Sequence, residues 1–463
     1  MVKGTRVERD SIGELEVPED AYFGINTQRT LMNFRISGRP LPSEFIISLA
    51  EVKKACAQAN LELGVLEERT AKAIERAADE IIFEGKYLDQ FPIDIFQTGS
   101  GTQTNVNMNE VLANRASEIL GYPKGKKSPV HPNDHINMSQ SSNDVIPTTM
   151  HVAAVKSIRG NLLPALNTII NALNSKTEEF KGIIKVGRTH LQDAVPIPLS
   201  MEFEVYLTQM KRSLEEINSL LDDLALLPIG GTALGTGINA PSGFAESVVR
   251  RLSKAAEFSF RVNPVKAEGI SSHGAIVRTS SALRSLALSC LKMASDIRLM
   301  GTGPRAGLGE LSLPQNEPGS SIMAGKVNPT QAEALIQVCL QVMGNDATVA
   351  LAEGHESILD LNAAKPLMIV NLLESINILS GGIHSFTEHC LKSIRPNVEK
   401  IRSDLERNLM VATRLVPILG YDRTAEIAKK ANATEKTIRE IIIEDGIDLG
   451  DDVDKILDPG RMV

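Results

Sequence analysis

A mainly α-helical fold is predicted by three observations. Phe, Tyr and Trp together make up 4% of the chain, with Trp 0, while Leu, Ile, Val and Ala are plentiful, which suits helix-on-helix packing better than a sheet sandwich. Apolar residues recur at three- and four-residue spacing over long stretches. The breaks between those stretches are polar, rich in Gly, Ser, Thr and Asn, and longer than ordinary bundle turns.

Along the chain, the first 60 or so residues are mixed, with turn signals at Val17-Pro18-Glu19-Asp20 and Gly38-Arg39-Pro40. Ala71, Ile74, Ala77, Ala78 and Ile81 then mark a helix. The polar segments QTGSGTQTNVNMN, 97–109, and VHPNDHINMSQSSND, 130–144, each precede a helical pattern and are placed to cap it. From Asp144 to Lys392 the pattern is long and helical: Val155, Ile158, Leu162, Leu166, Ile169 and Leu173 form one stripe, and Leu283, Leu286, Cys290, Met293 and Ile297 another. Gly-rich connections at Ile229–Asn239 and Pro318–Pro329 interrupt it. Beyond Pro396 the period shortens and charge rises, which predicts a small helical domain in which Thr434–Ile442 is a structural helix rather than half of a DNA-reading pair. The predicted division is 1–138, a mixed but mostly helical domain; 139–394, a central bundle of long helices; and 395–463, a small helical domain.

Composition narrows the function classes. Lys and Arg number 49 against 57 Asp and Glu, a net charge of −8 with no long basic block, so neither nucleic acid nor an anionic membrane surface is an expected partner. Apolar runs are expected to fall short of the roughly 18 residues of a membrane span and the start is not leader-like, which points to a cytoplasmic chain. Cys56, Cys290, Cys339 and Cys390 are scattered without metal-ligand spacing, so no metal site is expected; Cys290 and Cys339 read as small buried hydrophobes.

Several segments carry polar chemistry, and each has a bland reading beside it. The stretch Gly319-Ser320-Ser321-Ile322-Met323-Ala324-Gly325-Lys326-Val327-Asn328-Pro329 sets two hydroxyls, a cation and an amide between glycines just ahead of an apolar helix. It is either anion-stabilising equipment, in which a serine alkoxide could also be supported, or a surface loop that starts a helix. His190, beside Thr189 at the end of an apolar segment and ahead of a proline-opened helix, is a proton carrier or a structural or solvated histidine. Glu333, one turn into the helix after the Ser/Lys loop, is a dipole-favoured acid or a carboxylate partner for a histidine. Ser100-Gly101-Thr102 and Ser141-Ser142-Asn143 cluster small donors at helix starts, either to hold a carboxylate or as simple N-caps. GTALGTG, 231–237, lacks the spacing and the strand context of a nucleotide loop.

Taken together these segments resemble the fumarase/aspartase superfamily, and within it the class II fumarases. GSSIMAGKVNP is similar to the signature GSSxMPxKxN, with Ala324 where proline is usual. DQFPIDIFQTGSGTQTNVNMNEVLANRA, VHPNDHINMSQSSND, GRTHLQDAVPIPL, PIGGTALGTGINAP, ELSLPQNEPGSSIMAGKVNPTQAEA and the GYD at Gly420 follow in family order, over essentially the whole chain.

The resemblance implies a three-domain fold with a central long-helix bundle and a homotetramer whose active sites are shared by three subunits. It also implies reversible hydration of fumarate to (S)-malate in the citric acid cycle, with no metal or organic cofactor. It implies Ser320 as the base at C3 of malate and His190 with Glu333 on the hydroxyl side. Lys326 and Asn328 would then bind the carboxylate that gains charge, and Ser100, Gly101, Thr102, Ser141, Ser142, Asn143, Thr189, Ser321 and Val327 complete a dicarboxylate pocket. His131-Pro132-Asn133-Asp134 matches a second dicarboxylate site, or else is a turn that caps a helix; the arginine common shortly before it is replaced here by Lys126-Lys127-Ser128-Pro129. An aspartate ammonia-lyase would typically carry Gln where His190 stands, and a non-catalytic structural member would not need these polar groups.

Overall fold

The structure is a computed structural model that describes residues 4–463, so the first three residues of the amino-terminal segment lie outside it. Helices dominate, and among the described residues strands occur only in five two-stranded sheets. The chain divides into two compact units, Met1–Pro164 with Glu215–Ser285 and Leu340–Leu379, and Ala165–Leu214 with Leu286–Cys339 and Ser380–Val463.

In the first unit the helix Ser43–Glu62 is the hub. It buries Leu49, Ala50, Val52 and Cys56 and packs on the helices Glu68–Ile82, Ser142–Ser157 and Phe244–Ala256. Each fully buried leucine of this kind contributes roughly 1.5–3 kcal/mol of transfer free energy. The predicted helix at 71–81 lies within Glu68–Ile82. Every residue of the two predicted stripes, from Val155 to Leu173 and from Leu283 to Ile297, is buried.

In the second unit a β-hairpin pairs Ile184–Thr189 with Gln192–Pro198. Thr189 faces Gln192, so His190 and Leu191 are the two turn residues, both left-handed at φ 55 and φ 60, the pattern that matches strand twist in a tight hairpin. The helix expected after His190 does follow Pro198, beginning at Leu199, but a return strand not foreseen in the sequence comes between them. Pro196 and Pro198 hid that strand, because proline cannot donate to a ladder; a two-stranded ribbon tolerates them on its unpaired side. The hairpin packs on Val398–Arg407 and Leu409–Leu415, and Asn408 Nδ2 donates to the Ala194 carbonyl at 2.8 Å.

The carboxy-terminal part of this unit has its own core of Val411, Leu415, Ile427, Ala431, Ile438 and Ile441. Thr434–Ile442 is not one helix: Tyr421–Thr434 ends there, and Ile438–Glu444 restarts from Thr437, whose hydroxyl accepts the Glu440 N–H while the Glu440 carboxylate accepts the Thr437 N–H.

A further expectation is corrected, since Thr330–Glu356 and Lys365–Ser393 are each long and apolar enough to cross a membrane by length and composition alone. Core helices of bundles pass the same test. Here Ala332, Leu335, Cys339 and Val342 on one, and Met368, Leu372, Ile376 and Leu379 on the other, are buried within protein. All four cysteines are free and buried, and burial pushes the thiols of Cys290 and Cys339 up.

Candidate active site

Within the first unit, two helix starts are brought together. The segment before Thr102–Ile119 passes so close to the neighbouring chain that a Cβ on Gly99 would lie 1.4 Å from the Ala363 oxygen, so only glycine fits there. The Lys365 N–H donates to the Gly99 carbonyl at 2.8 Å and fixes the approach. Gly101 is the N-cap at φ 77 and has no side chain to cap with, so the role falls to Gln97, whose Oε1 accepts from Thr104 N at 3.1 Å and Thr104 Oγ1 at 2.9 Å. Ser100 and Thr102 are thereby released from capping. Their hydroxyls lie 2.8 Å apart, and Thr102 Oγ1 lies 3.0 Å from Ser142 Oγ at the start of Ser142–Ser157.

Ser141, by contrast, is a genuine cap: its Oγ accepts the Asn143 N–H at 3.2 Å. Asn143 Nδ2 donates to the Ala233 carbonyl at 2.9 Å, tying this helix start to the Gly-rich 229–239 connection. The hydroxyl trio Ser100, Thr102 and Ser142 is set on two positive helix ends, an arrangement chemically able to hold a carboxylate without arginine.

Beneath the trio lies a buried polar frame that sequence reasoning missed. Asp144 Oδ1 accepts from Ser141 N at 2.9 Å, and its Oδ2 accepts from Gly230 N at 3.0 Å and Thr232 N at 2.9 Å. Burial pushes the Asp144 carboxyl up to about 7, against the pull of these donors and of Lys53. Lys53, also fully buried and lowered to about 7 by that burial, donates to Asn137 Oδ1 and Gln140 Oε1, both at 3.0 Å. The only signal available in sequence was the acid three residues after Ser141, the mark of a capping box.

His131 is a cap as well. Its Nδ1 accepts from Asn133 N at 3.2 Å and Asp134 N at 3.1 Å, holding the short Pro132–Ile136 turn, and its own N–H donates to His135 Nδ1. Lys127 donates to the Arg9 carbonyl at 2.8 Å.

In the second unit the site residues stand on exposed ground. Thr189 and His190 form the tip of the hairpin. The Pro318–Pro329 connection closes on itself: Gly319 N–H donates to the Lys326 carbonyl at 3.1 Å, and Asn328 Nδ2 donates to the Gly319 carbonyl at 2.6 Å. Ser320 Oγ sits inside that ring and accepts two backbone N–H groups, from Ile322 at 3.2 Å and Met323 at 3.0 Å. Ser321, Ala324, Lys326 and Val327 are exposed, and the helix that begins at Thr330 carries exposed Glu333 in its first turn. Among the described residues no hydrogen bond joins His190 to Ser320 or to Glu333.

A mainly helical frame with hydroxyls clustered at two helix starts is the setting in which this chain matches known lyases. A family described as Lyase matches residues 13–344, and one described as Fumarase C C-terminus matches residues 411–463. The class II fumarate hydratase of Thermosynechococcus vestitus is 50% identical over 455 residues, covering 98% of this chain and 97% of that one. The mitochondrial fumarate hydratase of Schizosaccharomyces pombe is 50% identical over 460 residues, covering 99% and 88%. The crystal structure of the class II fumarase of Schistosoma mansoni superposes with a TM-score of 0.96 at 38% identity, covering 99% of each chain. The chain belongs to the class II fumarase family.

Proposed function

We propose that the chain is a fumarate hydratase that interconverts fumarate and (S)-malate in the citric acid cycle without metal or organic cofactor. The observation that carries the reading is the pair of N–H groups aimed at Ser320 Oγ. They stabilise an alkoxide, which is what the hydroxyl must become to take a proton from carbon. Ser320 removes the C3 proton of malate, and the electron pair moves into the adjacent carboxylate, where Lys326 and Asn328 meet the added charge. Loss of hydroxide from C2 follows as His190, with Glu333, delivers a proton through water, leaving fumarate and water. Ser100, Gly101, Thr102, Ser141, Ser142, Asn143, Thr189, Ser321 and Val327 form the dicarboxylate pocket, and His131-Pro132-Asn133-Asp134 a second dicarboxylate site.

The same reading carries the organisation 1–138, 139–394 and 395–463, and a homotetramer in which three subunits share each active site. Met201, Val205, Leu288, Leu299, Leu340 and Leu351 stand exposed on the long helices, which is the composition of a helix-to-helix interface. A cytoplasmic location completes the proposal.

The test is chelator-treated protein given malate in one cuvette and aspartate in another, with fumarate followed by its ultraviolet absorbance. Fumarate is expected from malate alone. Fumarate from aspartate alone would make the chain an ammonia-lyase, and silence in both would leave a structural member of the family.

A further inference from the structure

Glu310 opens the segment ELSLPQNEPGSSIMAGKVNPTQAEA but has no role assigned above, and it is 1% exposed and held at three points. Its N–H donates to the Met300 carbonyl at 2.9 Å and its carbonyl accepts the Asn397 N–H at 2.8 Å. Its carboxylate takes two cations from the hairpin: Oε1 accepts from Arg188 Nη1 at 2.5 Å, and Oε2 lies 3.1 Å from Lys185 Nζ. Arg188 directly precedes Thr189. On the other side, Leu311–Ser312 pairs with Arg395–Pro396 and the chain then runs on to Ser320.

We propose that Glu310 is a positioning residue that ties the hairpin bearing Thr189 and His190 to the root of the segment bearing Ser320, a role that rests on the catalytic reading of those residues. The hairpin needs such a tie. Its ladder is irregular between Val186 and Arg188, where a Cβ on Gly187 would meet the Val195 oxygen at 2.5 Å, and a two-stranded ribbon resists bending weakly on its own.

Charge makes the tie firm. Lys185 is 2% exposed and also donates to Glu202 Oε1 at 2.9 Å, so two cations and two carboxylates balance beside a cavity of about 280 Å³. Removing one carboxylate strands a buried cation, which is costly, and frees Arg188 to swing. Displacement of a reacting group by about 1 Å is worth on the order of a hundredfold in rate, so slack here reaches the chemistry without touching substrate. The two tied segments need not serve the same active site, and a loosened Glu310 would disturb both.

The test uses the full chain with Glu310→Gln and with the pair Lys185→Met/Glu310→Gln, which restores charge balance. Hydrogen exchange in Glu310→Gln is expected to quicken about tenfold or more at both 188–193 and 313–322, with kcat for malate down about 10- to 100-fold and KM within about threefold. The paired variant should recover melting temperature but not kcat, because Arg188 remains untied. Exchange unchanged at either segment overturns the proposal, as does a paired variant whose kcat returns in step with its melting temperature. Wild-type protein that fails to turn over malate would count against the catalytic reading alone, since the exchange measurement judges the tie without turnover.

Discussion

The two sets of site residues are built in opposite ways. In the first unit Ser100, Thr102 and Ser142 bond to one another, and the frame below them spends every oxygen of Asp144 on backbone N–H groups. In the second unit His190, Lys326 and Glu333 stand exposed, and among the described residues their side chains make no hydrogen bond. Ser320 is the one reactive candidate there with partners, and both are donors from its own loop. A group that only holds a carboxylate gains from being fixed in advance, because ordering it costs nothing when the ligand arrives. A group that must give or take a proton has to exchange partners during the reaction, so it is left unspent. The bonded hydroxyls of the first unit therefore suit holding, and unspent His190 and Glu333 suit proton exchange, while Lys326, proposed to hold a carboxylate, is as exposed as they are.

The sharpest way to break that contrast is one truncation in each set. Ser320→Ala removes the proposed base and is expected to lower kcat for malate by about a thousandfold or more with little change in KM. Thr102→Ala removes one hydroxyl of the receptor, and its effect should fall mainly on KM, rising about tenfold, as one hydrogen bond to a charged group contributes about 1.5–3 kcal/mol. Steady-state kinetics on both variants decide the matter. If Thr102→Ala loses kcat and keeps KM, the division between holding and reacting is wrong.

Stability should divide along the same line. In Asp144→Asn an amide has one acceptor oxygen for three buried N–H donors and sets its own N–H₂ against the rest, so a loss of about 3 kcal/mol is expected. His190→Asn should change stability by no more than about 0.5 kcal/mol, because the site is exposed and asparagine accepts the left-handed backbone of φ 55. Urea unfolding of the two variants measures the difference. Equal losses would show that the hairpin tip is as deeply built into the fold as the Asp144 frame.

What could be read in the sequence follows from range. The stripes at Val155–Leu173 and Leu283–Ile297 repeat within a few residues, so periodicity found them and burial matches. The hairpin escaped because Pro196 and Pro198 speak against a strand and because Lys185, a charged residue, is one of its buried positions. The cap role of Gln97 spans seven residues and the grip of Asp144 on Thr232 spans 88, distances at which no local pattern operates. Ser100 and Ser141 look alike in sequence, two serines at two helix starts, yet Ser141 is spent as a cap and Ser100 is not. Only the resemblance to a known family joined Thr102 to Ser142 before the fold did.

The smallest effect concerns how the fixed set meets acid. Asp94 anchors the segment that leads to Gln97 and the trio: it accepts from Ser37 N at 2.6 Å, Gly38 N at 2.7 Å and Phe96 N at 2.9 Å, and from the Ser37 hydroxyl. Burial pushes its carboxyl up, but these donors outweigh burial and hold it down at about 2, below the ordinary 3.8. A depressed carboxyl contributes stability that is fully present above its unfolded pKa and is lost as pH falls toward its folded one. Asp94 should therefore contribute about 2 kcal/mol above roughly pH 5 and lose it progressively toward pH 2. Asp94→Asn carries no charge at any pH, so its deficit against wild type should be widest near neutrality and shrink by about half that amount by about pH 3. Urea midpoints from about pH 6 to about pH 3 trace the curve; a deficit that stays constant with pH would mean that Asp94 acts through shape and hydrogen bonding alone, and that the fixed set owes nothing to ionised acceptors at this corner.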